Sequence, residues 1–220
     1  MAMLSQILHN ILNLKGGGEE SDDSKITKRQ LEFILNHFRA QVASQRTVAN
    51  KALDGFYQEL ESVKVESTKD YRAYNRDVII LKSKTQIPSP ITAHANGFVL
   101  QFVGFRDDIM SLQTSSLHTY NIDVENKYVS GVYFVVDNYL YLALKDRVTV
   151  REVFVRGVFA DPREVISANK GEDLFMGYDW EYPMPAAMLS QVNALIINNE
   201  YRWLNMLPAD ILNDGKDNRQ

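Results

Sequence analysis

The stretch VTVREVFVRGVFADPREV (residues 148–165) decides how the chain is built. It opens as a strand, with Val148 and Val150 alternating with Thr149 and Arg151. The apolar parity then slips to Val153 and Val155, which predicts a β-bulge near Arg151 and Glu152. After Phe159 the chain reaches Asp161-Pro162. Asp161 is placed to cap a helix that starts at Pro162, where a missing N–H costs nothing. Glu164, three residues beyond the cap, brings a negative charge to the positive end of that helix. A strand that turns into a helix at one capped corner calls for sheet and helix in the same fold.

Working back from the corner, the runs ESVKVES, DVIILKS, GFVLQFVGF, GVYFVV and YLYLAL are rich in Val, Tyr, Phe and Leu and read as strands. Asp137-Asn138, between Val136 and Tyr139, fits a two-residue hairpin turn because both residue types tolerate positive φ. Pro88 and Pro90 cannot donate to a ladder, so TQIPSPI is an edge or a connection. The middle of the chain therefore reads as a mainly antiparallel β-domain of about six or seven strands.

Helices flank it. Leu4, Ile7, Leu8, Ile11 and Leu14 share one face, so residues 2–14 predict a short amphipathic helix, followed by the flexible acidic run GGGEESDDS at 16–24. Such an arm docks on its own core, on a neighbouring subunit or on a membrane surface; its polar face is poor in the Lys and Arg that membrane binding favours. Thr27-x-x-Gln30 has the form of a capping box. Behind it Leu31, Leu35, Phe38 and Val42 line a stripe, with Lys28, Arg39 and Arg46 along its flank. That flank is either a solvated basic edge or a charged subunit interface, and the apolar residues Leu4, Ile7, Leu8 and Ile11 of the arm are the other interface candidates. The last helix is expected over about 185–206, roughly 33 Å long at 1.5 Å per residue, with Met188, Val192, Leu195, Ile196 and Trp203 as its stripe and a polar tail after it. The expected fold is α+β: N-terminal helix or helices, a mainly antiparallel β-domain and a long C-terminal helix. The expected organisation is an arm and linker over 1–24 and one body over 25–220.

Composition narrows the function classes. Apolar residues make up 45% of 220, enough for a packed fold with a radius of gyration of roughly 17 Å if compact. With no cysteine, disulfides and thiolate metal sites are excluded. A net charge of −4 argues against gripping nucleic acid phosphates as the main task. No window approaches 18 uninterrupted apolar residues, and the N-terminus lacks the basic start of a signal peptide, so no membrane partner is expected. His9, His37, His94 and His118 are scattered without metal-ligand spacing. Gly16-Gly17-Gly18 runs into acids, which would repel phosphate. No G-x-S-x-G elbow occurs. The calcium-loop echo in ADILNDGKD fails, since Leu212 takes a ligand position. Asp107-Asp108 has no partner for acid–base work. No catalytic residue, metal or cofactor is expected; an enzyme with an unrecognised site is the minor alternative.

Three stretches then carry a resemblance. ITKRQLEFILNHFRA (26–40), VTVREVFVRGVFADPREV (148–165) and PADILNDGKDN (208–218) together resemble the opening helix, late strand and Asp/Asn-rich ending of head-to-tail connector proteins of crAss-like and related podovirus-type phages. The arm at 1–24 is not part of that pattern. The resemblance implies a structural virion protein, a neck adaptor or ring protein, assembled in the host bacterial cytoplasm. Its implied partners are itself in a ring (commonly twelve-fold), the portal protein, other neck or tail ring proteins, and genomic DNA passing without sequence-specific contacts. Another virion part, such as a tail-completion or capsid-associated protein, is the alternative within that class.

Overall fold

The computed structural model describes residues 2–16, 27–69, 78–93, 97–105, 113–114, 131–145, 150–171 and 177–201. The chain divides into two compact units, one of residues 1–42 with 176–220 and one of residues 43–175.

The second unit is built on a seven-stranded sheet. Its strands are β1 (Gln58–Ser67), β2 (Val78–Ser83), β3 (Leu100–Gly104), β4 (Gln113–Thr114), β5 (Gly131–Val136), β6 (Tyr139–Lys145) and β7 (Glu152–Gly157). They lie in the order β3-β7-β1-β2-β6-β5-β4. Every pairing is antiparallel except β4 with β5. The sheet is apolar on both faces over β2, β6 and β5, because the pleat sends alternate residues to opposite sides. Leu81, Tyr133, Leu140 and Leu142 join one core, which continues through Val63, Val153 and Val155. Ile80, Val132, Phe134, Tyr141 and Ala143 form another. Phe134 and Tyr141 are directly opposed, their rings stacked 5.1 Å apart. The β5–β6 turn has Asp137 at φ 51° and Asn138 at φ 62°, both in the left-handed region that a tight hairpin needs. The proline-containing connection packs on this turn: Ile87 N–H donates to the Asn138 carbonyl at 2.8 Å, and Gln86 Nε2 donates to that of Asp137.

The structure shows no bulge in β7 at Arg151 and Glu152; the register shifts lie in its two partners. In β1 one residue is inserted between Leu60 and Val63, and in β3 one between Leu100 and Phe102. β7 itself is regular. It begins at Glu152, the Arg151 carbonyl before it accepts from Val65 N–H of β1 at 2.9 Å, and Val148 and Thr149 lie outside the described residues. The parity slip in the sequence marks the start of the strand.

At the corner, Asp161 accepts a hydrogen bond from Arg163 N–H at 2.9 Å, and helix α3 (Pro162–Lys170) starts with Pro at its first position. (Helices are α1, Leu4–Gly16; α2, Lys28–Val48; α3; and α4, Ala186–Ile196.) Gly171 closes α3 at φ 69°, donating to the Ser167 carbonyl. Val165 anchors the helix in the larger core. Gln58 Nε2 donates to the Pro162 carbonyl, while Asn169 accepts from Glu61 N–H at 3.0 Å and donates to the Glu59 carbonyl at 2.7 Å. Asn169 thus satisfies backbone groups beside the β1 bulge that the ladder leaves open. Glu164 does not gain from the helix terminus alone. Partial burial, then the charge of Asp161, push its carboxyl above the usual range, against a hydrogen bond from the Ser89 backbone.

In the first unit the capping box of α2 is closed: Gln30 N–H donates to Thr27 Oγ1 at 3.2 Å and Thr27 N–H donates to Gln30 Oε1 at 2.9 Å. The last helix is shorter than expected as an α-helix. α4 ends at Ile196 and continues as a π-helical turn over Ile197–Tyr201. The β-branched pair Ile196-Ile197 followed by Asn198-Asn199 is a run of weak helix formers, which explains why regular α geometry stops there. Trp203 and the tail lie outside the described residues, as do His94, His118, Asp107-Asp108 and the run 17–24.

Candidate subunit-contact surface

The first unit gathers most of the residues expected at an interface, and it places them differently from one another. Leu4, Leu8 and Ile11 are fully buried and Ile7 nearly so, all within their own chain. The segment 178–182 receives the start of α1. Leu4 and Ser5 N–H donate to the Trp180 and Tyr178 carbonyls at 2.9 and 2.8 Å, and Tyr182 N–H donates back to the Ala2 carbonyl. The first two satisfy N–H groups that a helix start always leaves without intrahelical partners. In this single chain the arm packs on its own chain.

Arg39 is completely buried. Its Nε donates to the Pro183 carbonyl at 2.8 Å, and its guanidinium lies 5.8 Å from the centre of the Tyr182 ring. Tyr182 Oη in turn donates to Asn36 Oδ1 at 2.7 Å. Lys28 is exposed, whereas Arg46 is half-buried and donates from Nε to the Ala52 carbonyl. The three cations therefore do not form one exposed flank. Arg39 works as a buried clasp between α2 and the 178–184 segment.

The exposed surface of this unit carries residues that the sequence reading passed over. Phe33 is 74% exposed on α2, on the side away from Leu31, Leu35 and Phe38. Arg29 and His37, one turn before and after it, are also exposed. On the 178–182 segment Asp179 and Glu181 point to solvent, while Trp180 and Tyr182 are buried. Both patterns leave a trace in the sequence: a lone phenylalanine opposite an apolar helical stripe, and the period-two alternation of YDWEY.

Among the described residues no group of three His, Asp or Glu could hold a metal ion, and no helix is long and apolar enough to cross a membrane. The shifted titrations, at Tyr57 and Glu164, are each raised first by partial burial and then by a neighbouring carboxylate.

The comparison with known families says what kind of protein carries this surface. Residues 6–219 match the model of the crAss ring family described as phage tail ring protein 2. The chain belongs to this family. It is a structural virion component, a ring protein of the phage tail, and membership of a ring family implies assembly with other tail components. The match begins inside α1, so most of that helix belongs to the family pattern, which the resemblance read from residue 26 onward had left out. No curated protein matches the chain significantly.

Proposed function

We propose that this ring protein forms one closed ring of the connector between phage head and tail, stacked below the portal and surrounding the passage of the genome. The observation that carries the reading is the family match over residues 6–219. A ring built from identical copies needs a heterologous contact, two different surfaces of one subunit meeting around a closed rotation. Twelve copies is the number the connector resemblance implies. The net charge of −4 suits a wall that passing DNA does not grip, since few phosphates would be neutralised.

Contacts between copies run through the first unit in this proposal, with Lys28 at its surface. Leu4, Ile7, Leu8, Ile11 and Arg39 support that surface from beneath, and Arg46 braces the far end of α2. Imaging intact virions and fitting the chain into the density tests the assignment. Density for the chain as a ring between portal and tail is the expected result; density at the capsid shell or tail tip overturns it.

A further inference from the structure

We infer that the ring contact pairs the Arg29–Phe33–His37 stripe of α2 in one copy with the Met3, Asp179 and Glu181 surface of the next copy. The inference rests on the ring reading above and specifies its interface.

Two features of the stripe call for a partner. A phenyl ring left 74% exposed retains most of the apolar surface that burial would remove from water. The start of α2 carries Lys28 and Arg29 with no acid in its first turn, so two cations sit at the positive end of the helix dipole. Among the described residues neither Lys28 nor Arg29 has an ion-pair partner.

The same unit supplies the complement. Asp179 and Glu181 are exposed and lack an ion-pair partner among the described residues, and Met3, 36% exposed, bridges to Glu181 through the backbone. A cation and an exposed aromatic ring on one side thus meet two acids and a thioether on the other. A methionine adapts well to an inserted aromatic ring. Opposite charges around an apolar centre fix the register of such a contact. Since the two surfaces differ, the contact is heterologous and propagates from copy to copy, as a ring requires.

The chain has no cysteine, so cross-linking has no background. Full-length copies carrying His37→Cys are mixed with copies carrying Asp179→Cys and treated with a short bis-maleimide. A cross-linked dimer in the mixture, and none with either variant alone, is expected. In parallel, Arg29→Glu should raise the concentration at which the oligomer dissociates at least about tenfold, and adding Glu181→Arg should restore much of it.

A wild-type ring with no cross-link in the mixture overturns this pairing and leaves the ring reading intact. So does an Arg29→Glu ring of unchanged stability, the result expected if the acids at 19–23 of the same chain occupy Arg29. A cross-link with His37→Cys alone means that like faces meet, and also overturns it. A wild-type chain that stays monomeric overturns the ring reading itself.

Discussion

Replacing Arg39 by Met tests whether this cation belongs to the interior of the subunit or to its partners. Methionine keeps much of the volume, so the loss reports polar contacts more than a cavity. The Nε donor to Pro183, at 2.8 Å in a fully buried setting, is a charge-assisted hydrogen bond. Losing it and stranding the carbonyl costs about 1.5–3 kcal/mol. The guanidinium over Tyr182 adds about 0.5–2 kcal/mol. Allowing for the weaker dehydration cost of a thioether, the variant should lose about 2–4 kcal/mol, which in a chain of this size lowers Tm by about 5–15 °C. Arg39→Lys should recover little, because an ammonium cannot occupy the Nε position while reaching over the ring. Urea denaturation followed by tryptophan fluorescence is the assay, since Trp180 lies 5.7 Å from Tyr182. A midpoint unchanged to within about 0.5 kcal/mol, together with lost assembly, would refute the reasoning and return Arg39 to an interface role.

Other expectations follow from the second unit. Asp161→Ala removes the α3 cap and should cost about 1 kcal/mol by chemical denaturation; no change would mean that Arg163 N–H finds another acceptor. Gly157→Ala should destabilise by about 1–3 kcal/mol, because a Cβ there would meet Leu100 Cδ2 at 2.5 Å and the Val99 carbonyl oxygen at 3.0 Å; a neutral result would show that the β3 edge yields freely. The Glu164 carboxyl is raised, so the folded state holds its proton more tightly than the unfolded chain. Its contribution is present below the ordinary carboxylate pKa and is lost as pH rises through the raised value. Glu164→Gln should therefore match the parent at low pH and exceed it at neutral pH in urea midpoints, and a difference of opposite sign would contradict that cause.

Much of the fold was legible because its signals are local. The capping box at Thr27, the Asp137-Asn138 turn and the Asp161-Pro162 corner each depend on residues within three or four positions, and each was found where the sequence put it. The features that escaped depend on distant partners. The acceptor for Arg39 is 144 residues away, so the helical wheel placed that cation on a flank without showing that the flank was covered. The β1 bulge is bracketed by Asn169 of α3, and its trace in the strand, the parity slip from Leu60 to Val63 and Val65, falls at the edge of the run ESVKVES. β4 is two residues long, too short for any period to register. The α-to-π change at Ile197 was written in weak helix formers, but Ile196 among them also continued the apolar helical stripe. Phe33 was visible as the odd residue on a polar face, and only the fold shows that it is left exposed.

Native mass spectrometry of the purified full-length chain tests the central claim most directly. A closed ring gives one dominant species at a fixed multiple of the 25.2 kDa subunit, about 300 kDa for twelve copies, with no ladder of open intermediates. A spectrum confined to monomer and symmetric dimer, or an open-ended series without a preferred size, would contradict it.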